Sequence, residues 1–81
     1  MTFSTANSMA YEIARLTAQA IRHLDKGDEA KSKGDRVQAF IEYDAARFAY
    51  EEAAEAARGG VTSRSFLRHA VRAGLLAEGV A

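Results

Sequence analysis

The sequence predicts an all-α fold, in which a long antiparallel helical hairpin is followed by a shorter third helix to form a three-helix bundle. Apolar residues recur at helical spacing through most of the 81 residues. No segment alternates apolar and polar residues as a half-buried strand would, and no proline interrupts the chain. The short length and the even distribution of these patterns predict a single helical domain over residues 1–81.

Glycine and capping signals define the hairpin. The first helix is predicted over about residues 5–33, and it ends at Gly34, where a positive φ is expected. The second helix is predicted over about residues 36–58. Asp35 can cap its start, and Gln38, three residues on, can reach back to form a capping box.

The third helix is predicted over about residues 63–78. Gly59-Gly60 separates it from the second helix, Thr62 or Ser63 is expected to cap it, and Gly79 is expected to stop it. Its apolar side, which we expect to pack on the hairpin, consists of Phe66, Leu67, Ala70, Val71, Gly74 and Ala77.

The second helix carries two apolar stripes, which is unusual in so short a chain. The first stripe is small and is expected to pack against the first helix: Ala39, Tyr43, Ala46, Tyr50, Ala53, Ala54 and Ala57. The second stripe is bulkier: Val37, Phe40, Ile41 and Phe48. This bulky stripe must face the third helix, a second subunit or a partner protein.

These patterns predict a partner-binding surface. Its predicted members are Val37, Phe40, Ile41, Asp44, Phe48, Leu75 and Leu76. Leu75 and Leu76 are included because both project away from the main apolar arc of the third helix, and exposed apolar residues of this kind mark interfaces. Asp44 could anchor an arginine of a partner or act as a tuned acid, but pairing with an internal arginine is the favoured interpretation.

Arg64, Arg68 and Arg72 repeat every four residues and form an arginine ladder on the third helix. Such a ladder could contact phosphates or an acidic partner. It could equally be a solvated surface, or could pair with Glu51, Glu52 and Glu55 of the acidic second helix. The sequence leaves these interpretations open.

The segment from Gly27 to Ala46 resembles a tetratricopeptide helical hairpin, and it is similar to the microtubule-interacting and trafficking domain, which adds a third helix to such a hairpin. The matching residues are Gly27, Gly34-Asp35, Ala39, Tyr43 and Ala46. The resemblance implies that the small residues allow two helices to approach closely and that Tyr43 fills the seam. It also implies binding of a partner's helix or peptide.

Composition argues against several other classes of protein. The chain has no cysteine, which excludes disulfides, thiolate zinc sites and cysteine catalysis, and no nucleophile–base pair, metal-ligand set or cofactor loop is visible. We therefore expect a non-enzyme without metal or cofactor. No apolar run is long enough for a transmembrane helix, and the N-terminus does not read as a signal peptide, so a cytoplasmic location is expected.

The function predicted from the sequence is non-catalytic protein binding, by a small adaptor or regulator that also self-associates. Two alternatives stay open. One is a nucleic-acid or anion-binding regulator that uses the arginine ladder, although the zero net charge does not favour nucleic acid. The other is a small inhibitor from a mobile element that occludes a host protein.

Overall fold

The computed structural model describes the backbone of residues 5–58 and 61–81, and the side chains of residues 9–58 and 62–81. Over this range the chain forms three helices, which we name α1 (Thr5–Ser32), α2 (Arg36–Ala57) and α3 (Val61–Val80). The described residues contain no strand. The predicted all-α fold with three helices is confirmed.

Helix α2 lies between the other two helices. It packs along its length against both α1 and α3, whereas α1 and α3 touch each other little. The α-carbons span 52 × 21 × 12 Å, and a width of 21 Å accommodates three neighbouring helices at the usual spacing of about 8–10 Å. The helices therefore form a layer with antiparallel neighbours, and α2 has one side toward each neighbour and a third side toward solvent.

The core of this layer is built from small side chains. Of the 14 apolar residues that are buried within the described range, ten are alanines. Alanine lets helix axes approach closely and is the best helix former, but it contributes little apolar area. Tyr43 of α2 is the largest side chain that is fully buried, with 1% of its surface exposed.

Tyr43 joins the two helices of the hairpin, as its place in the small stripe predicts. Its ring lies against Gly27 of α1, so closely that a β-carbon at position 27 would come within 2.6 Å of two ring atoms. Its hydroxyl donates a hydrogen bond of 2.5 Å to the carboxylate of Asp28. The pKa of Tyr43 is raised to about 12, mainly because the side chain is buried and secondly because its hydroxyl is hydrogen-bonded to this carboxylate. A second link is the contact of 2.7 Å between His23 Nδ1 and Glu42, which lowers the pKa of Glu42.

The α1–α2 turn is a Schellman motif followed at once by a helix cap. Asp35 N donates a hydrogen bond to the carbonyl of Ala30 at 2.9 Å, and Gly34 N donates one to the carbonyl of Lys31 at 3.0 Å. Gly34 has φ +80°, as predicted. Asp35 caps α2 by accepting a hydrogen bond from Gln38 N. The predicted capping box is only half formed, because the Gln38 side chain donates to Glu42 instead of reaching back.

Gly34→Val is expected to lower the free energy of unfolding by about 1–2 kcal/mol, because a β-branched residue is strained in the left-handed region. No neighbouring atom lies within 4 Å of a β-carbon at this position, so the loss measures backbone strain alone. Urea unfolding followed by circular dichroism measures it. Gly34→Asn should cost less, since asparagine tolerates this conformation. Equal losses for the two variants would contradict this explanation.

Helix α3 is longer than predicted at both ends. It starts at Val61, so Thr62 and Ser63 lie in its first turn. The Ser63 hydroxyl does not cap α3 but donates a hydrogen bond of 2.8 Å to the carbonyl of Ala54. Gly79 does not stop the helix, which continues to Val80. The predicted break at Gly59-Gly60 lies outside the described residues. Arg58, just before it, already takes the left-handed conformation, with φ 50°.

Candidate functional site

The large apolar side chains of this protein lie mostly outside the core. Within the described range, nine large apolar residues are exposed, and seven of them belong to α2 and α3. These seven side chains, between 39% and 72% exposed, form what we call the outer face: Val37, Phe40, Ile41, Phe48, Leu67, Val71 and Leu75. A small soluble protein rarely leaves so many adjacent large apolar groups in water unless something binds there.

The α2 part of the outer face is the bulky stripe that the sequence singled out. Val37, Ile41 and Phe48 recur at helical spacing on the solvent side of α2, and all three are more than half exposed. Phe40, one residue before Ile41, is 39% exposed. The stripe therefore does not face α3, which was one of the three predicted possibilities.

The α3 part of the outer face was only partly foreseen. Leu75 is exposed, as predicted. Leu67 and Val71 were expected to pack on the hairpin, but they are 48% and 63% exposed. The reason is that Ala70, Ala73 and Ala77 fill the contact with α2, which turns the residues at positions 67, 71 and 75 outward. Leu67 lines one open cleft with Phe48, and a second with Val71 and Leu75, so the two helices present a continuous surface.

Leu76 does not belong to this surface, which corrects the prediction. It is half-buried against the core cluster that contains Tyr43 and Ala77. One residue after Leu75, the helix has turned by about 100°, and Leu76 points to the opposite side of the layer. There it lines a groove between α1 and α3 whose base includes Tyr50, with His69 stacked at 5.2 Å from the Tyr50 ring.

Asp44 forms part of an internal ion-pair network, as the favoured interpretation of the sequence held. Arg47 binds Asp44 at 2.9 Å and Glu51 at 3.0 Å, and its guanidinium lies 4.4 Å above the Phe48 ring. The hydrogen bond to Asp44 is the main cause that raises the pKa of Arg47. This network holds the Phe48 ring from one side and leaves the other side of the ring to solvent.

Charges of both signs surround the outer face, with Arg58 in the same cleft as Glu52 and Glu55, and Glu78 of α3 in the cleft of Val71 and Leu75. On α2, Glu52 and Glu55 line the same cleft as Phe48. On α3, Arg64 and Arg68 precede Leu67 and Val71 by three positions and therefore lie beside them. Arg72 instead lines the groove that contains Tyr50 and Leu76. All three arginines are exposed.

The ladder does not pair with α2 of the same chain, which was one of the predicted possibilities. Among the side chains that the structure describes, none of the three arginines forms an ion pair, and neither do Glu52 and Glu55. Glu51 is already bound by Arg47. The apolar stripe of α3 separates the ladder from the acidic residues of α2, so both sets of charges remain available.

The outer face consists of exposed apolar side chains with charged residues beside them. In the described part of the chain, no three His, Asp or Glu side chains converge as a metal site would require. None of the described helices combines the length and apolarity needed to cross a membrane.

Comparisons of the chain with known protein families, with curated proteins and with solved structures found no match. The resemblance of residues 27–46 to a tetratricopeptide-type hairpin therefore stays a prediction.

Proposed function

We propose that this protein is a non-catalytic protein-binding module, a small adaptor or regulator, and that the outer face is its binding surface. The observation that carries the proposal is that small apolar side chains are buried and large ones are exposed, which is the reverse of the usual distribution. Alanine fills the seams of the fold, while phenylalanine, isoleucine, leucine and valine stand in solvent on one side of α2 and α3. Covering these side chains would bury more large apolar groups than the core itself contains.

The composition of the outer face fits the usual anatomy of protein interfaces. Such interfaces have an apolar centre with aromatic anchors, surrounded by a charged rim. Here Phe48 is held in place by the stacked Arg47, and Glu52 and Glu55 stand at the edge. A ring that is already fixed loses little conformational freedom when it is covered, which favours Phe48 as an energetic centre of binding.

The proposal predicts that the outer face is covered by protein in the cell. A photo-crosslinking amino acid at Ile41, which is 52% exposed, should give adducts in cells that produce the protein. Phe48→Ala should reduce these adducts by about tenfold or more, because truncation of an aromatic anchor commonly costs 2 kcal/mol or more of binding energy. Adducts are measured by immunoblotting and identified by mass spectrometry.

The matched control is Ile21 of α1, which has the same side chain and is 49% exposed, but lies outside the outer face. The crosslinker at position 21 should give few adducts. Equal adducts at positions 21 and 41, or none at position 41 in a folded protein, would contradict the proposed function.

A further inference from the structure

We propose that the outer face binds a second copy of this chain, in a two-fold dimer in which α3 of each copy packs on α2 of the other. This inference rests on the proposed function and specifies the partner. It depends on how the unpaired charges are arranged on the two helices, and on the fact that each chain carries both halves of a complementary pair.

The first step concerns the position of these charges along the helices. Because Ser63 contacts Ala54, the start of α3 lies beside the end of α2. Arg64 and Arg68 therefore occupy the same half of the α2–α3 pair as Glu52 and Glu55. Glu52 and Glu55 line the cleft of Phe48 and Leu67, together with Arg58. Arg64 and Arg68 lie one helical turn before Leu67 and Val71 on α3.

The second step concerns symmetry. A two-fold axis that runs parallel to the helices, between the two copies, places α3 of one copy over α2 of the other and keeps the level of every residue along the axis. Arg64 and Arg68 of each copy then lie over Glu52 and Glu55 of its partner, twice per dimer. Leu67, Val71 and Leu75 lie over the stripe of Val37, Ile41 and Phe48.

The third step excludes the other simple packing of the same faces. A two-fold axis perpendicular to the helices would place α3 over α3 and reverse the direction of the helices. The charged half of each copy would then face the half of its partner that carries Val37 and Leu75, and Arg64 and Arg68 would not meet Glu52 and Glu55. The charge pattern therefore selects the arrangement that pairs α3 with α2, and the zero net charge of the chain adds no repulsion between copies.

A charge exchange tests the arrangement. One variant carries Arg64→Glu and Arg68→Glu, and the other carries Glu52→Arg and Glu55→Arg. None of these four residues forms an ion pair within the chain, so both variants should keep the helical circular dichroism of the original protein. The mass in solution is measured by light scattering coupled to size exclusion, and dissociation constants by sedimentation equilibrium.

The unchanged protein should behave as a particle of twice the 8.8 kDa chain mass at micromolar concentrations. Each variant alone should dissociate at a concentration about tenfold higher or more, because four attractive pairs become repulsive. An equimolar mixture of the two variants should restore the dimer as a heterodimer. The acidic α3 of the first variant then meets the basic α2 of the second, and the basic α3 of the second meets the acidic α2 of the first. The control Arg22→Glu, an exposed charge on α1, should leave the dimer unchanged.

Three outcomes would overturn the inference: a monomer at hundreds of micromolar, variants that dimerise like the original protein, or a mixture that fails to recover. A monomer whose position 41 still crosslinks to a different protein would refute the second copy and leave the proposed function standing. A monomer that binds DNA in a salt-dependent manner, and loses this binding with Arg64→Glu and Arg68→Glu, would assign the ladder to nucleic acid.

Discussion

Tyr43→Ala is expected to lower the free energy of unfolding by about 3–5 kcal/mol, which is the usual range for removal of a buried aromatic side chain. A domain of this length has a total stability of only about 4–12 kcal/mol. Few of the buried residues are large, so nothing else can fill the space between Gly27 and the α2 backbone. Urea unfolding followed by circular dichroism should show a large shift of the midpoint, or a chain that is no longer folded.

Tyr11 provides the matched control, because it is the same residue type but 73% exposed on α1. Tyr11→Ala should change the stability by no more than about 0.5 kcal/mol. Tyr43→Phe separates the ring from its hydroxyl. It should lose only the hydrogen bond to Asp28, about 1 kcal/mol. A loss at Tyr43→Ala no larger than at Tyr11→Ala would show that the seam between α1 and α2 is not packed as described.

Gly27→Ala is expected to have the second largest effect, a loss of about 1–3 kcal/mol from overpacking. Alanine is normally favoured over glycine inside a helix by about 1 kcal/mol, so a loss here reverses the usual preference. The reason is the 2.6 Å approach between the added β-carbon and the Tyr43 ring. The ring atoms concerned belong to a fully buried side chain, which has little room to move. Urea unfolding measures this change too.

Gly79 is the control for this prediction, since it is also helical but has no atom within 4 Å of an added β-carbon. Gly79→Ala should leave stability unchanged or raise it slightly. A double-mutant cycle of Gly27→Ala with Tyr43→Leu should show that the loss at position 27 shrinks when the ring is absent. An undiminished loss in the Tyr43→Leu background would mean that something other than this contact opposes a side chain at position 27.

The features of the fold that follow from local chemistry could be predicted from the sequence. Gly34 ends α1 because only the left-handed conformation closes the turn, and Asp35 caps α2 because its side chain lies within reach of Gln38 N. The ends of α3 could not be predicted in this way. Ser63 and Gly79 carry cap and stop signals, but packing against α2 extends the helix through both of them.

The outer face was predictable on α2 and only partly on α3. On α2, two apolar stripes on one helix require two surfaces to cover them. On α3, the positions of Leu67 and Val71 in the sequence fit an apolar arc that also contains the core alanines. Sequence spacing does not tell which part of this arc packs on α2 and which part faces solvent. Leu76 illustrates the same limit, because a rotation of the helix by one residue position moves a side chain to the opposite side of the layer.

The central position of α2 has a consequence for cooperativity. In a layer whose members contact only their nearest neighbours, the stability of the whole is close to a sum over adjacent seams, as in solenoid proteins. Either outer helix can then separate from the layer while the opposite seam remains intact, whereas α2 cannot open without disrupting both. The backbone amides of α2 should accordingly exchange with solvent only through global unfolding, and those of α1 and α3 through smaller, separate openings.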